Sequence, residues 1–410
     1  MEIAPALRPI QRKDETRNAM PPVLLILSPA RWDFVVQRTH HLLSRLAGRW
    51  HVVFVEEPKH ARQAAWLDEQ PIADHLSVLV PHLPPASAPG DAHDTLPRML
   101  RGYLRQRGLQ VDVAWVSTPA ALPLLDALHA SCVVYDCAAQ STAPRLRRQH
   151  AAMLERATLV LANGPSLYEA LRPRHARVVC LPSAVDAAHF APDARRTQGT
   201  LAAQARQLQA PLPAPRLGYF GVIDARLDLE LLRLLAQANT DWSLVMVGPV
   251  VGLDAAQLPR GPNIHWLGAQ PYALLPHLLA SWDVALLPFL TNEATRLICP
   301  AQVPEYMAGG KPVLSTPLHD VAWLYSDSVA IAARGQPFVA ACEALLAESA
   351  AQRAQRALQM MAAVSASSWE RSAQALHQLL QAALGAKHRS APRGEAAALR
   401  ASAAGSVALR

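Results

Sequence analysis

Several signatures that settle a chemistry on their own are missing from this chain of 410 residues. It has no G-x-G-x-x-G, no P-loop, no G-x-S-x-G and no literal D-x-D pair. Simple dinucleotide, NTPase and hydrolase readings therefore fall away, as does a carboxylate-pair metal site. The five cysteines, Cys132, Cys137, Cys180, Cys299 and Cys342, form no C-x-x-C pair and are odd in number. Neither a zinc site nor a disulfide framework is expected, and a reducing cytoplasm fits best. No stretch offers ~18 uninterrupted apolar residues. Residues 1–20 carry Arg8, Arg12, Lys13 and Arg17 without a following apolar run and cleavage site, so the chain is expected to be neither secreted nor membrane-spanning. Aromatics are sparse, and no basic patch is interleaved with them, which argues against nucleic acid as a partner.

What is present suits a packed globular protein. Half the residues are hydrophobic and 17% are charged. At roughly 100–200 residues per domain, the length predicts two domains. The net charge of +7 comes mainly from arginine. Such a surface favours phosphates, anionic sugars or the cytoplasmic leaflet, and a generally basic protein is the plain alternative.

Along the chain, continuous apolar runs read as strands buried on both faces, and helical patterns separate them. Residues 23–28, 51–56, 76–80, 113–116, 132–135, 159–162 and 178–181 form a first set. A Gln-, Ala- and Pro-rich stretch follows, and then a second set at 216–221, 243–247, 265–267, 284–288, 313–315 and 329–332. The alternation predicts an α/β protein of two doubly wound parallel-sheet, Rossmann-like domains. The expected division is a flexible arm over 1–20, a first domain over 21–192, a linker over 193–215, a second domain over 216–384 and a disordered tail over 385–410. The last helix of the second domain is a candidate to pack back on the first.

In open α/β sheets ligands sit outside the carboxyl ends of the strands, so segments that follow strands carry the functional argument. Four stand out. The first runs from Ser28 through Trp32-Asp33-Phe34, Gln37-Arg38 and His40-His41-Leu42. The second is Tyr135-Asp136-Cys137, leading to Pro182-Ser183-Ala184-Val185-Asp186 and His189-Phe190. The third is Gly218-Tyr219-Phe220-Gly221-Val222-Ile223-Asp224-Ala225-Arg226, and the fourth runs from Asn292 to Arg296 and on to Glu305-Tyr306-Met307-Ala308-Gly309-Gly310-Lys311-Pro312. In this order and spacing the blocks resemble a group of bacterial glycosyltransferases close to glycosyltransferase family 4, with a W-D-F-x-x-Q-R opening, Y-D-C, G-Y-F-G-V-I-D and E-Y-M-A. The resemblance covers roughly residues 23–384.

It implies a GT-B architecture, two such domains facing a cleft, in a cytoplasmic enzyme of surface or exopolysaccharide synthesis with peripheral contact to the inner face of the membrane. The donor would be a nucleoside-diphosphate sugar of UDP or GDP type. The acceptor would be a saccharide or lipid-linked molecule, and neither cofactor nor metal is expected. On the second domain, Gly221 with Arg226 would grip the diphosphate beside backbone amides. Glu305 would accept hydrogen bonds from the ribose, and Asn292, Thr295 and Arg296, or Gly309 and Gly310, would border the phosphates. On the first domain, Asp136 and Asp33 are the acids placed to deprotonate an acceptor hydroxyl, with His40 as an imidazole option. Each has a structural alternative. Arg226 can pair with Asp224 or Asp228, Glu305 can be a helix N-terminal charge, Asp33 can be an N-cap, His40 and His41 can be packing, and Trp32 can be a core or cleft wall.

Several polar positions depart from the family pattern while the apolar framework is kept. Y-D-C is followed by Ala138-Ala139-Gln140 instead of Met-Asp-Glu, I-D-E-R becomes Ile223-Asp224-Ala225-Arg226, and a phosphate-side lysine becomes Gln302. Losing one cation opposite a diphosphate costs on the order of a thousandfold in rate. Arg226, Arg296 and Lys311 are the candidates to compensate. Two readings stay open: an active transferase, or a weak or inactive relative that serves as a scaffold in polysaccharide assembly.

Overall fold

The computed structural model describes residues 20–62, 64–85, 91–138, 144–192 and 198–388. Residues 1–19 of the expected arm, Ala139 and Gln140, 193–197 of the expected linker and 389–410 of the expected tail lie outside the described residues. Among those described, no helix is long and apolar enough to cross a membrane.

The chain begins with β1 (Val23–Leu27), whose five residues are all buried, followed by α1 (Arg38–Leu46) and β2 (His51–Val55). Next come β3 (Lys59–His60), β4 (Trp66–Ala73), β5 (Leu76–Leu83), α2 (Asp91–Gln106) and β6 (Val111–Val116). The first sheet is completed by α3 (Leu122–Leu128), β7 (Cys132–Cys137), α4 (Pro144–Arg156), β8 (Leu159–Ala162), α5 (Pro165–Leu171) and β9 (Val178–Cys180). Strand order is β3-β5-β2-β1-β6-β7-β8-β9, parallel along that path, with β4 antiparallel on β5. Because parallel strands are covered on both faces, they read as unbroken apolar runs. The hairpin strand β4 did not, since Asp68, Glu69 and Gln70 leave it half-exposed at the edge.

Beyond α6 (Ala187–Phe190) the expected linker contains a helix, α7 (Thr200–Gln209). Ala- and Gln-rich composition is strongly helix-forming, and here it is also packed. Ala202, Ala205 and Gln209 are buried, and Gln209 accepts a hydrogen bond from Trp282 Nε1 at 2.9 Å. The second sheet follows from β10 (Arg216–Phe220), α8 (Leu229–Ala238), β11 (Ser243–Val247), β12 (Ile264–Gly268), α9 (Leu275–Leu279), β13 (Val284–Leu287), α10 (Gln302–Ala308), β14 (Val313–Ser315), α11 (His319–Tyr325) and β15 (Ala330–Ile331). Its order is β12-β11-β10-β13-β14-β15, with every pairing parallel.

Three helices close the fold: α12 (Gln336–Leu346), α13 (Ala350–Ala366) and α14 (Trp369–His388). Met360 of α13 belongs to the core of the second domain. The chain then crosses back. Trp369, Ala373, Leu376, Leu380 and Ala383 of α14 are buried in one cluster with Leu24, Leu42, Trp50 and Val52 of the first domain, and Trp50 Nε1 donates to His377 Nδ1 at 3.0 Å. Helix α14 also runs four residues into the segment expected as a tail.

Candidate functional site

The carboxyl edges of the two sheets meet. Asp320, at the start of α11 after β14, accepts the backbone N–H of Ser166 at 2.9 Å, at the start of α5 after β8. Ser166 Oγ also lies 2.8 Å from His319 Nδ1. Leu297, in the loop after β13, is buried among Leu154, Leu167 and Leu171 of the first domain. Gly164 makes the close approach possible: a Cβ there would sit 2.2 Å from Asp320 Oδ2.

On the second domain the strand order reverses direction between β10 and β13, the place where such sheets bind ligands. Gly221 follows β10 with φ +143°, and a Cβ on it would lie 2.4 Å from Gln302 Nε2. Gln302 therefore sits directly over this turn. Gly248 follows β11 with φ +148°, and its Cβ would lie 1.8 Å from the Gly221 carbonyl oxygen. Backbone packs on backbone here, which only glycine permits.

Arg226 lies in the same loop, which is laced to β13: Leu290 N–H donates to the Arg226 carbonyl and Asp228 N–H to that of Pro288, both at 2.8 Å. Its guanidinium is 42% exposed and bound to Asp224, at 2.6 Å for the ion pair. Burial pushes the Asp224 carboxyl up, but the hydrogen bonds and charge of Arg226 outweigh it and hold the group below its usual value. Asp228 is not the partner. It caps α8 through Leu231 N–H at 3.0 Å and pairs with Arg334 at 2.9 Å.

Glu305 lies in the first turn of α10, half-buried, beside Tyr306, whose hydroxyl accepts Phe220 N–H at 2.9 Å and so ties the helix to β10. Burial alone pushes the Glu305 carboxyl up to about 8. No cation among the described residues pairs with it, unlike the carboxylates of Asp224 and Asp228.

Other expected residues are occupied elsewhere. Asn292 Oδ1 accepts Ala294 N–H at 2.9 Å, and Thr295 Oγ1 accepts Asn292 N–H at 3.0 Å, so both side chains brace their own loop. Arg296 is an exposed partner of Glu293 at 3.2 Å. Lys311 donates to the Ala280 carbonyl at 2.7 Å, at the amino end of β14 and away from the cleft edge. Gly309 ends α10 against Leu279, where a Cβ would sit 2.3 Å from a methyl, and Gly310 supplies the following turn at φ +71°.

On the first domain, Asp136 lies within β7, not after it. It is 4% exposed and held by Arg38 Nη2 at 3.2 Å, and Arg38 also donates to the Leu181 carbonyl. Both of its oxygens lie within hydrogen-bond reach of the Arg38 guanidinium. Asp33 is exposed in a turn and caps nothing, since Gln37 occupies the N-cap of α1. His40 is buried with both nitrogens used: Nδ1 accepts Gln37 N–H at 3.0 Å, which leaves Nε2 to donate to the Trp32 carbonyl at 2.9 Å. Burial lowers its pKa, so it stays neutral and holds the turn rather than taking protons. His41 stacks on Trp369 at 4.9 Å and meets Tyr272 of the second domain at 5.5 Å, an interdomain joint. Trp32 packs on Phe54 at 5.1 Å as a core wall.

Sequence reasoning passed over Arg38 and Asp320. Arg38 stands in the Gln37-Arg38 block that follows the first strand, so a signal existed. Asp320 had none, because its partner lies 154 residues away.

Residues 215–351 match the family described as Glycosyl transferases group 1. The putative teichuronic acid biosynthesis glycosyltransferase TuaH of Bacillus subtilis is 28% identical over 139 residues, 32% of this chain and 35% of that relative, so the match spans about a third of the relative's length. Sucrose-phosphate synthase from Thermosynechococcus elongatus superposes with a TM-score of 0.70 at 16% identity, covering 89% of this chain and 100% of that one. Anabaena HepE, in complex with UDP and glucose, gives 0.66 at 14% identity over 88% and 99%. An α,α-trehalose-phosphate synthase (UDP-forming) from Burkholderia xenovorans, in complex with glucose-6-phosphate, gives 0.66 at 13% over 88% and 100%. The chain has the GT-B fold, and the matched family region coincides with the domain that carries Gly221, Arg226 and Glu305.

Proposed function

We propose that this protein is a glycosyltransferase of surface-polysaccharide synthesis. It takes a sugar from a nucleoside-diphosphate donor on the second domain and passes it to a hydroxyl of a saccharide or lipid-linked acceptor on the first, at the inner face of the membrane. One observation carries the reading. Gly221 and Gln302 meet at the switch point of the second sheet, with Arg226 in the loop that follows Gly221 and Glu305 one turn along α10 from Gln302. The glycine turn lets a diphosphate approach backbone amides, Arg226 supplies positive charge, and Glu305 is an unpaired hydrogen-bonding carboxyl for the ribose. We take charge neutralisation to come from these groups without a metal, so chelator should leave donor binding unchanged. The named activity of the Bacillus relative and the UDP complexes of the structural neighbours support the donor class.

The scaffold reading has an observation of its own. Arg226, Arg296 and Arg334, the described cations on this edge, are each paired with a carboxylate. Calorimetric titration with UDP and GDP decides between the two. Micromolar binding of one nucleotide, weakened at least about tenfold by Arg226→Ala or Glu305→Ala, supports transfer. Binding of neither nucleotide ends it.

A further inference from the structure

Strand β4 presents an aromatic and two polar side chains that neither core cluster of the first domain uses. Its residues alternate between the faces of the sheet. Leu67 packs against the apolar cluster that contains the leucines of α2, and Glu69 accepts the Tyr103 hydroxyl of α2 at 2.8 Å. Trp66, Asp68 and Gln70 therefore share the opposite face. There Leu76, Val78 and Val80 of β5 join one cluster with α1 and α14, but this cover stops short of β4: Trp66 is 49% exposed, and Gln70 is exposed as well.

Two contacts shape this open face. Trp66 lies flat on His82, directly across the antiparallel pair, with ring centroids 3.8 Å apart and planes 5° from parallel. Gln70 Nε2 donates to Asp68 Oδ2 at 2.8 Å. A single exposed tryptophan needs no ligand to explain it, and a cross-strand ring pair steadies an edge strand. Here the stacked imidazole holds the indole in place, and the carboxylate and amide follow it on the same face, roughly 7 and 14 Å along the strand. A flat apolar ring beside such a pair matches a sugar, whose C–H face packs on an aromatic while its hydroxyls exchange hydrogen bonds with planar polar groups.

The position of the platform fits an acceptor. Val55 ends β2 opposite Leu79, and His82 lies three residues further along β5, with Lys59 of β3 on its other flank. Trp66 thus stands at the carboxyl edge of the first sheet. Along β1-β2-β5-β4 it is three strand spacings, ~14 Å, outward from the loop that follows β1.

We propose that Trp66, Asp68 and Gln70, with His82 behind the indole, form a distal subsite for a saccharide chain. It holds sugar units well behind the one that receives the new residue, so the acceptor is an oligosaccharide long enough to reach the sheet edge. The purpose of the subsite rests on the transferase reading above, whereas saccharide binding at β4 does not.

The test is calorimetric titration of the full chain with disaccharides and with octasaccharides, both released from the surface polysaccharide of the organism that makes this protein. Octasaccharides should bind at least about tenfold more tightly than disaccharides, a preference that Trp66→Ala and Gln70→Ala each reduce and Trp66→Tyr largely keeps. Gln70 is exposed, so its variant stays folded should Trp66→Ala fail to fold. Every variant should keep the wild-type UDP titration. Octasaccharide binding without UDP binding leaves the subsite standing and ends the transferase reading, and UDP binding with equal affinity for the two lengths does the reverse. No saccharide binding, an undiminished length preference in the folded variants, or a wild-type dimer that Trp66→Ala dissociates also overturns the proposal.

Discussion

Asp224 takes the guanidinium of Arg226 side on. Nε donates to both carboxylate oxygens at 2.9 and 3.0 Å, Nη2 donates to Oδ2 at 2.6 Å, and the Arg226 backbone N–H donates to Oδ1 at 2.9 Å. The loop thus brings its own anion to the place proposed for a diphosphate. The charge can be removed while the turn is kept, because an asparagine oxygen still accepts the backbone N–H. Half-exposed pairs are worth up to about 1 kcal/mol, so Asp224→Asn should tighten UDP binding about three- to fivefold by calorimetry. Unchanged or weaker binding would show that Asp224 orients Arg226 and does not compete for it.

Glu305 should make stability fall with rising pH. Its carboxyl titrates near 4.5 in the unfolded chain and about 8 in the fold, so the folded state holds a proton that the unfolded state has lost. That contribution is fully present below pH 4.5 and disappears as pH rises through about 8. Thermal melts of Glu305→Gln should match wild type near pH 5 and lie higher near pH 9. A constant offset across that range would place the effect elsewhere.

The Arg38–Asp136 pair, with side chains 9% and 5% exposed, is buried enough that breaking it strands a charge. Urea unfolding of Arg38→Met should show a loss of about 3–5 kcal/mol, with much of it recovered in Arg38→Met/Asp136→Leu. Equal losses in the single and double variants would mean that the Leu181 contact of Arg38, not the ion pair, matters.

Gly248→Ala places a methyl against the Gly221 carbonyl at a φ that side chains avoid. The cost should be at least about 3 kcal/mol, and the Gly221 turn should shift enough to weaken UDP binding. A melting temperature within about 2 °C of wild type would show that the two loops have slack.

The inner strands of the second domain were legible because they are buried and parallel, and burial on both faces leaves an apolar run such as Leu244-Val245-Met246-Val247. Strand β4 was not, since an edge strand with Pro71 and three consecutive polar residues has no such run. Helix α7 hid in a composition that resembles a linker. At the site, the Arg226–Asp224 pair was visible as an alternative because its members are two residues apart. The Arg38–Asp136 pair spans 98 residues and the Asp320–Ser166 contact 154, and no local pattern in one sequence marks distances of that kind.

The return of α14 has a consequence for how the molecule is made. The first lobe lacks Trp369, Leu376 and Leu380 until they leave the ribosome, so it must wait, incompletely assembled, while the entire second lobe is synthesised. Order of translation and order of completion are therefore reversed: the lobe begun first is finished last, and a chain cut short within α13 leaves one face of the first sheet without the helix that covers it.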